Sequence, residues 1–228
     1  MSELLADLPL LLLSLKVALA AVILDLPPAL LLGRLLARRR FPGRALLDTF
    51  LALPLVLPPV ATGLLILMVV SPRAMPGRLL ARLTGLELVF SWPGAALAAG
   101  VVAFPLLLRS VIQALEAVDP RLGQVARTLG AGRMKTFWRV HLPLALPGVT
   151  GGILLAFARA LGEFGATMVV AGSIPGRTRT LPLDLYHRFQ LGDDAGALRL
   201  ALLSALLAFA VLGVGRLAER RLRARMEA

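Results

Sequence analysis

Apolar runs separated by short charged clusters set the rhythm of this chain. The cleanest run extends from Thr49 to Ser71 without a charged residue. A membrane-crossing helix needs about 20 mainly apolar residues, because each adds ~1.5 Å of rise across a hydrocarbon core ~30 Å thick. Five segments meet that length: residues 8–33, 49–71, 88–112, 144–172 and 195–217. The first is the least regular, since Lys16, Asp25 and the pair Pro27-Pro28 interrupt it. Such prolines are absorbed where neighbouring protein satisfies the freed carbonyls, so this segment is expected to be a packed bundle member. The later stretch "LPLDLYHRFQ" is too short and charged to cross, and reads as a short surface helix.

A different pattern fills the gap between the third and fourth segments. Asp119 is placed to accept from first-turn N–H groups, and Pro120 sits where a missing N–H is harmless. Leu122, Val125, Ala126 and Leu129 then give one apolar face at helical spacing. Gly130 and Gly132 allow a sharp turn. A second short helix is expected, with Met134, Phe137, Trp138 and His141 on one face and Leu142-Pro143 as its end. Two short helices with a hinge make a knob that can enter a groove on a partner. A basic amphipathic segment lying in the lipid interface fits the same residues. The run "GAGRMKT" superficially resembles a phosphate-binding loop, but the required glycines are replaced by Leu129 and Met134. Any ATP must therefore be bound by another chain.

Composition agrees with the run pattern: 58% of the 228 residues are hydrophobic, against about 45–50% for a soluble domain. Net charge is +12, yet the basic residues alternate with apolar runs and form no continuous face, which sets nucleic acid aside as a partner. Cysteine is absent, removing disulfides and thiolate metal sites. The opening "MSELLADLP" lacks the early basic cluster of a cleaved signal, so the first apolar segment is expected to remain as a helix.

Charge also predicts direction. Arg34, Arg38, Arg39, Arg40 and Arg44 form one basic group, and Arg121, Arg127, Arg133, Lys135 and Arg139 a second. Arg216, Arg220, Arg221, Arg223 and Arg225 form a third. In a five-span chain these groups share one side. The opposite loops hold Arg73, Arg78 and Arg82, then Arg177, Arg179 and Arg188 offset by Asp184, Asp193 and Asp194. Positive-inside logic predicts an external N-terminus, a cytoplasmic C-terminus, and residues 218–228 as a basic cytoplasmic tail.

The run "QVARTLGAGRMKTFWRVHLPLALPG" closely resembles the EAA loop of type I ABC importer permeases. That pattern is E-A-A, three residues, glycine, then a hydrophobic-x-leucine-proline ending. Gln124, Val125, Ala126, Gly130, Leu142 and Pro143 stand at matching positions, with Ala131 after the glycine. Gln124 replaces glutamate and Val125 replaces alanine, so the charge is lost although Gln124 can still hydrogen-bond. "LALPLVLPPVATGLLIL", "FSWPGAALAAGVVAFPLLLRS", "LAFARALGEFGATMVVAG" and "IPGRTRTLPLDLY" extend the similarity to the molybdate permease branch over essentially the whole chain. LPLVLPP and GEFGAT also recur in sulfate and tungstate relatives.

The resemblance implies an all-α, five-helix transmembrane domain over residues 8–217. It implies that residues 118–143 form a coupling element docking into a cytoplasmic ATP-binding subunit. An extracytoplasmic oxyanion-binding protein would deliver the substrate, with no cofactor held by this chain. Five helices are too few to enclose a hydrophilic path away from lipid, so a second copy of the chain is expected on a two-fold axis.

Several charges fall inside the apolar runs. Arg159 and Glu163 lie four apart, on one helix face, and can pair. They read either as a gate beside the pathway or as a structural pair. Gly162 and Gly165 beside them permit close helix approach. Pro54, Pro58 and Pro59 read either as a bend lining a passage or as packing devices. Lys16 is expected to snorkel or to pair with Asp25 rather than to neutralise an oxyanion, and Arg109 to snorkel. An intramembrane enzyme would need clustered catalytic side chains, whereas His141 and His187, the only histidines, fall in separate loops. A secondary transporter would be expected to show internal repeats and discontinuous helices. No convincing repeat is visible, and five spans do not divide evenly.

Overall fold

Alanine and glycine line the helix that holds the molecule together. This is α5 (Trp92–Glu116), whose buried positions include Ala95, Ala96, Ala98, Ala99, Gly100 and Ala103. Ser91 starts it by accepting from the Gly94 N–H at 3.3 Å. α1 (Ser2–Arg38) packs along one side through Ala18, Ala21 and Ala29. A Cβ at Gly33 would stand 2.5 Å from Val111 Cγ1, so the two backbones meet where α1 has no side chain. α8 (Leu142–Leu161) packs on another side, with Gly148 against Ala114 and Gly152 against Ser110. Small residues are what allow apolar helices to make dense contact in lipid.

The computed structural model describes residues 2–38 and 41–227, with side chains described except at 2–6, 84, 218 and 222–227. Arg39, Arg40 and Ala228 lie outside the described residues, as do the side chains of Arg223 and Arg225. The remaining elements are α2 (Arg44–Val56), α3 (Pro59–Val70), α4 (Met75–Thr84), α6 (Pro120–Thr128) and α7 (Arg133–Thr136). A π turn over Phe137–His141 leads into α8. Beyond it come α9 (Gly165–Ala171), α10 (Leu181–Gln190) and α11 (Asp194–Glu227). Among the described residues, four helical stretches are long and apolar enough to cross a membrane, and the bent α2–α3 pair makes a fifth if it is one crossing.

Two of the apolar runs read as single helices are broken. α2 and α3 meet at a bend of 115° around Leu57-Pro58. Contacts along α5 show that the pair still progresses from one end of the bundle to the other. Arg44 reaches Glu116 at 3.6 Å and Asp48 reaches Arg109 at 3.2 Å, near the C-terminal end of α5. Ile66, Leu67 and Val70 of α3 pack instead with Ala98 and Val102, nearer its N-terminal end. The fourth run breaks between Leu161 and Gly165. Discontinuous helices therefore do not separate this chain from secondary transporters. α1, by contrast, stays helical through Pro9, Pro27 and Pro28.

The charges inside the apolar runs also find partners different from those expected. Lys16 Nζ sits 3.7 Å above the centre of the Trp92 ring rather than on Asp25. The Asp25 carboxylate instead abuts Gly100, where an added Cβ would lie 3.1 Å from Oδ1. Arg109 pairs with Asp48. At the end of the bundle marked by the start of α5, a chain of ion pairs joins three helices. Buried Asp7 of α1 meets Arg199 of α11 at 3.1 Å and Arg188 of α10 at 3.6 Å. Asp184 in turn binds Arg188 at 2.9 Å and Arg179 at 3.3 Å. The stretch read as a surface helix is thus fastened on its inner side, and Leu181, Leu183 and Asp184 are buried.

Close backbone approach between α3 and α9 is testable. A Cβ at Gly63 would come within 2.8 Å of Ala166 Cα, and overpacking of this kind costs about 1–3 kcal/mol. Gly63→Val should lower the thermal unfolding midpoint in detergent. Gly213→Val, at a position open to 4 Å, should leave it nearly unchanged.

Candidate functional site

The segment between α5 and α8 forms a compact cassette. Asp119 Oδ1 accepts from the Arg121 N–H at 2.8 Å and starts α6. The helix closes through Gly130, whose N–H donates to Arg127 O at 3.0 Å. Gly130 holds φ at +82°, a left-handed conformation that favours glycine. Gly132 has φ −64° and needs no such freedom. The apolar face of α6 points outward: Leu122 and Val125 are exposed, and Leu129 is 83% exposed. Gln124 and Gly130 are exposed with them, while Ala126, Ala131, Leu142 and Pro143 are half-buried. In the second arm Met134 and Trp138 face out, but Phe137 is 3% exposed and anchors the cassette.

That arm does not end at Leu142-Pro143. The π turn carries Leu142 N–H back to Phe137 O, and α8 follows without interruption. A proline ring normally strikes the carbonyl four residues earlier. The wider turn just before Pro143 displaces those carbonyls, so the helix continues. Arg133 to Leu161 is consequently one helical rod.

Two arginines from α1 fasten the cassette, Arg34 to this rod and Arg38 to the end of α5, a role that sequence spacing did not reveal. Arg34 lies 4.7 Å from the centre of the Phe137 ring and donates to Arg133 O at 3.2 Å. Arg38 donates to Leu115 O at 2.8 Å and Val118 O at 2.9 Å, clamping the end of α5. On the other side α6 rests on His141 through Gly123, where a Cβ would be 2.5 Å from Nε2. Arg34 and Met134 stand 100 positions apart in sequence, so no local pattern could pair them.

The second cluster lies where the fourth apolar run breaks. Arg159 Nη1 donates to Glu163 Oε2 at 2.7 Å, the pairing that the spacing predicts. Glu163 Oε1 also accepts from the Ala166 N–H at 2.8 Å. The carboxylate thus caps α9 as well as neutralising Arg159, and its side chain is 1% exposed. An anion at a helix N-terminus is favoured by the exposed N–H groups and the helix dipole. Gly162 is exposed, with no close neighbour, so it does not serve close packing. Gly165 does: a Cβ there would lie 2.9 Å from Pro59 Cβ and 3.2 Å from Val60 N. The breaks in the two discontinuous helices therefore touch.

A family model described as "binding-protein-dependent transport system inner membrane component" matches residues 29–224. The chain belongs to that family. Its members are the non-catalytic membrane permeases of ABC transporters, and this permease is accordingly a multi-pass protein of the inner membrane. It is 51% identical to the Escherichia coli K12 molybdenum transport system permease protein ModB over 198 residues, 86% of each chain. It is 39% identical to the Synechocystis sulfate transport system permease protein CysW over 92% of this chain and 75% of that one. Among solved structures it resembles an inward-facing form of the MetNI methionine ABC transporter, with TM-score 0.70 at 19% identity. That likeness covers 97% of both chains and shows a shared fold.

The ion pair and the cap in the permease can be separated. Glu163→Gln keeps an oxygen for Ala166 but loses the charge facing Arg159. Breaking a fully buried pair costs about 3–5 kcal/mol. Because the Arg159 side chain is 31% exposed, about 2 kcal/mol is expected here. Glu163→Ala removes the cap too, adding about 1 kcal/mol. Thermal unfolding of the two variants should rank wild type above glutamine above alanine. Equal midpoints for the two variants would remove the capping role.

Proposed function

We propose that this chain is the permease of an ATP-driven molybdate importer, working as a homodimer coupled to separate ATP-binding subunits. The carrying observation is its identity of about half with a molybdenum transport permease over most of both chains. The lower identity to a sulfate permease makes sulfate, with tungstate, the alternative anion. An extracytoplasmic binding protein selects the anion, and the ATPase supplies the energy.

The outward apolar face of the cassette supports docking into an ATPase cleft through Gln124, Val125, Ala126, Gly130, Ala131, Leu142 and Pro143. Arg34, Arg38 and Arg44 gather at the same end of the bundle. Gly151 faces Glu219 near the end of α11, which brings the arginines of that region there too. This concentration of charge favours a cytoplasmic cassette and C-terminus, with the N-terminus outside. Residues 8–217 then form the transmembrane domain and 218–228 its cytoplasmic tail, in which α11 runs on to Glu227. The dimer is supported by the sparse packing of the broken second crossing. α2 buries no residue, and α3 buries only Thr62 and Gly63 among its described residues.

In this reading transport proceeds by alternating access between two arrangements biased by ATPase and binding protein. Arg159, Gly162 and Glu163 form the gate element, because the rod that begins in the cassette ends at their break. The double variant Arg159→Leu with Glu163→Gln removes both charges and retains the cap oxygen. Normal folding with lost uptake in proteoliposomes is expected. Normal uptake would make the pair purely structural.

The coupling role rests on Gly130. A valine cannot adopt its backbone conformation cheaply, so Gly130→Val should insert in the membrane yet lose co-purification with the ATPase at least about tenfold, a loss of ~1.4 kcal/mol. Unchanged docking would reject the cassette as the contact. Calorimetry of the cognate binding protein should give tightest binding for molybdate. Preference for sulfate would move the permease to the alternative anion.

A further inference from the structure

None of these roles uses α4. It starts directly after the short Ser71–Ala74 link from α3, at the end of the bundle opposite the coupling cassette. Its orientation is fixed at both ends. A Cβ at Gly77 would collide with Ser71 O and Val70 O, so that face lies flat on the end of α3. Beyond α4, the Phe90 N–H donates to Val170 O at 3.1 Å. Phe90 holds φ at +55° to do so, and Gly94 is closed over by Leu88 O.

With Gly77 turned inward, Met75, Leu79 and Leu83 form an exposed stripe at four-residue spacing. Arg78 and Arg82 run along its edge, also four apart and also exposed. From Ser71 to Leu86 the sequence holds Arg73, Arg78 and Arg82 and no acid. None of the three joins an ion pair among the described residues. Trp92 and Phe90 are exposed at the same end, and Lys16 covers the Trp92 ring. Aromatic rings paired with a cation mark the depth of lipid headgroups. An apolar stripe edged by free arginines at that depth matches acyl chains beside lipid phosphates.

We propose that α4 lies in the membrane interface and binds anionic phospholipid, with Arg78 and Arg82 on the phosphate groups and Met75, Leu79 and Leu83 among the upper acyl segments. Charge complementarity favours lipid over a protein occupant, as does the short tether to the end of a membrane crossing. A basic residue near such a surface adds about 1 kcal/mol, or about fivefold in association.

The absence of cysteine permits a site-specific test. Leu83→Cys, labelled with bimane in the full transporter complex, is placed in phosphatidylcholine nanodiscs containing brominated phosphatidylglycerol or brominated phosphatidylcholine. Quenching should favour brominated phosphatidylglycerol. Arg78→Gln and Arg82→Gln should each weaken that preference about fivefold while leaving quenching by brominated phosphatidylcholine in place. Co-purified ATPase in equal amount would verify that each variant folds. Equal quenching by the two lipids, unaffected by the arginine changes, would overturn the proposal. So would a label quenched by neither lipid but altered by adding the binding protein, which would make α4 a protein-docking surface.

Discussion

In lipid, apolar helices gain little by exchanging hydrocarbon for one another, and close backbone approach has to supply the contact instead. The arrangement of this permease follows that constraint along α5. Its buried alanines and Gly100 give α1 and α8 flat surfaces. Gly33, Gly148 and Gly152 complete the approach from the partner helices. Elements that cannot reach α5 this way remain thinly packed. α2 is the clearest example: it buries no residue fully, and it meets α1 and α5 only through half-buried Leu47 and Leu51 and the ion pairs of Arg44 and Asp48.

A second rule of the bilayer explains the breaks. Each interruption frees backbone groups that need internal partners. At the start of α9, Glu163 meets that need by accepting from Ala166 and simultaneously balancing Arg159. At the start of α3 the proline at position 59 removes one orphan donor outright, because it has no N–H. Gly165 then lets the two interruptions sit directly against each other. The charge pair, the glycine and the proline are therefore parts of one solution.

Much of this was legible in the sequence. Hydropathy marked the apolar runs because length alone separates a crossing from a core helix. Asp119 announced the start of α6, and Gly130 its end, since caps and left-handed turns depend on local residue type. The Arg159–Glu163 contact followed from four-residue spacing. What hydropathy could not register was direction: the chain between Leu57 and Pro59 stays apolar while turning through a large angle. The π turn was equally hidden, because Pro143 looks like a terminator unless the preceding turn is known to be wide. Lys16, Arg34 and Arg109 were misread or undervalued for one reason. Their partners are aromatic rings, carbonyls and acids brought close only by the fold.

The same geometry bears on how motion would travel in the proposed cycle. If the cassette were tied only to α8, a push from an ATPase would tilt one rod against a passive bundle. Arg34 and Arg38 change that, because they join α1 and the end of α5 to the same cassette. α5 is in turn packed tightly against both helices, so these three elements are constrained to move as a block. The breaks at Leu57-Pro58 and Gly162–Phe164 are the places where helical hydrogen bonding does not resist relative rotation. Gly165 holds the breaks in contact, and beyond them α3 and α9 pack together on Ala98 and Val102 of α5. In the proposed cycle, bending at these breaks would let α3 and α9 shift over α5 without unfolding any helix. The Arg159–Glu163 pair sits at that junction, with Arg159 on the last turn of α8 and Glu163 inside the interruption, where it caps α9.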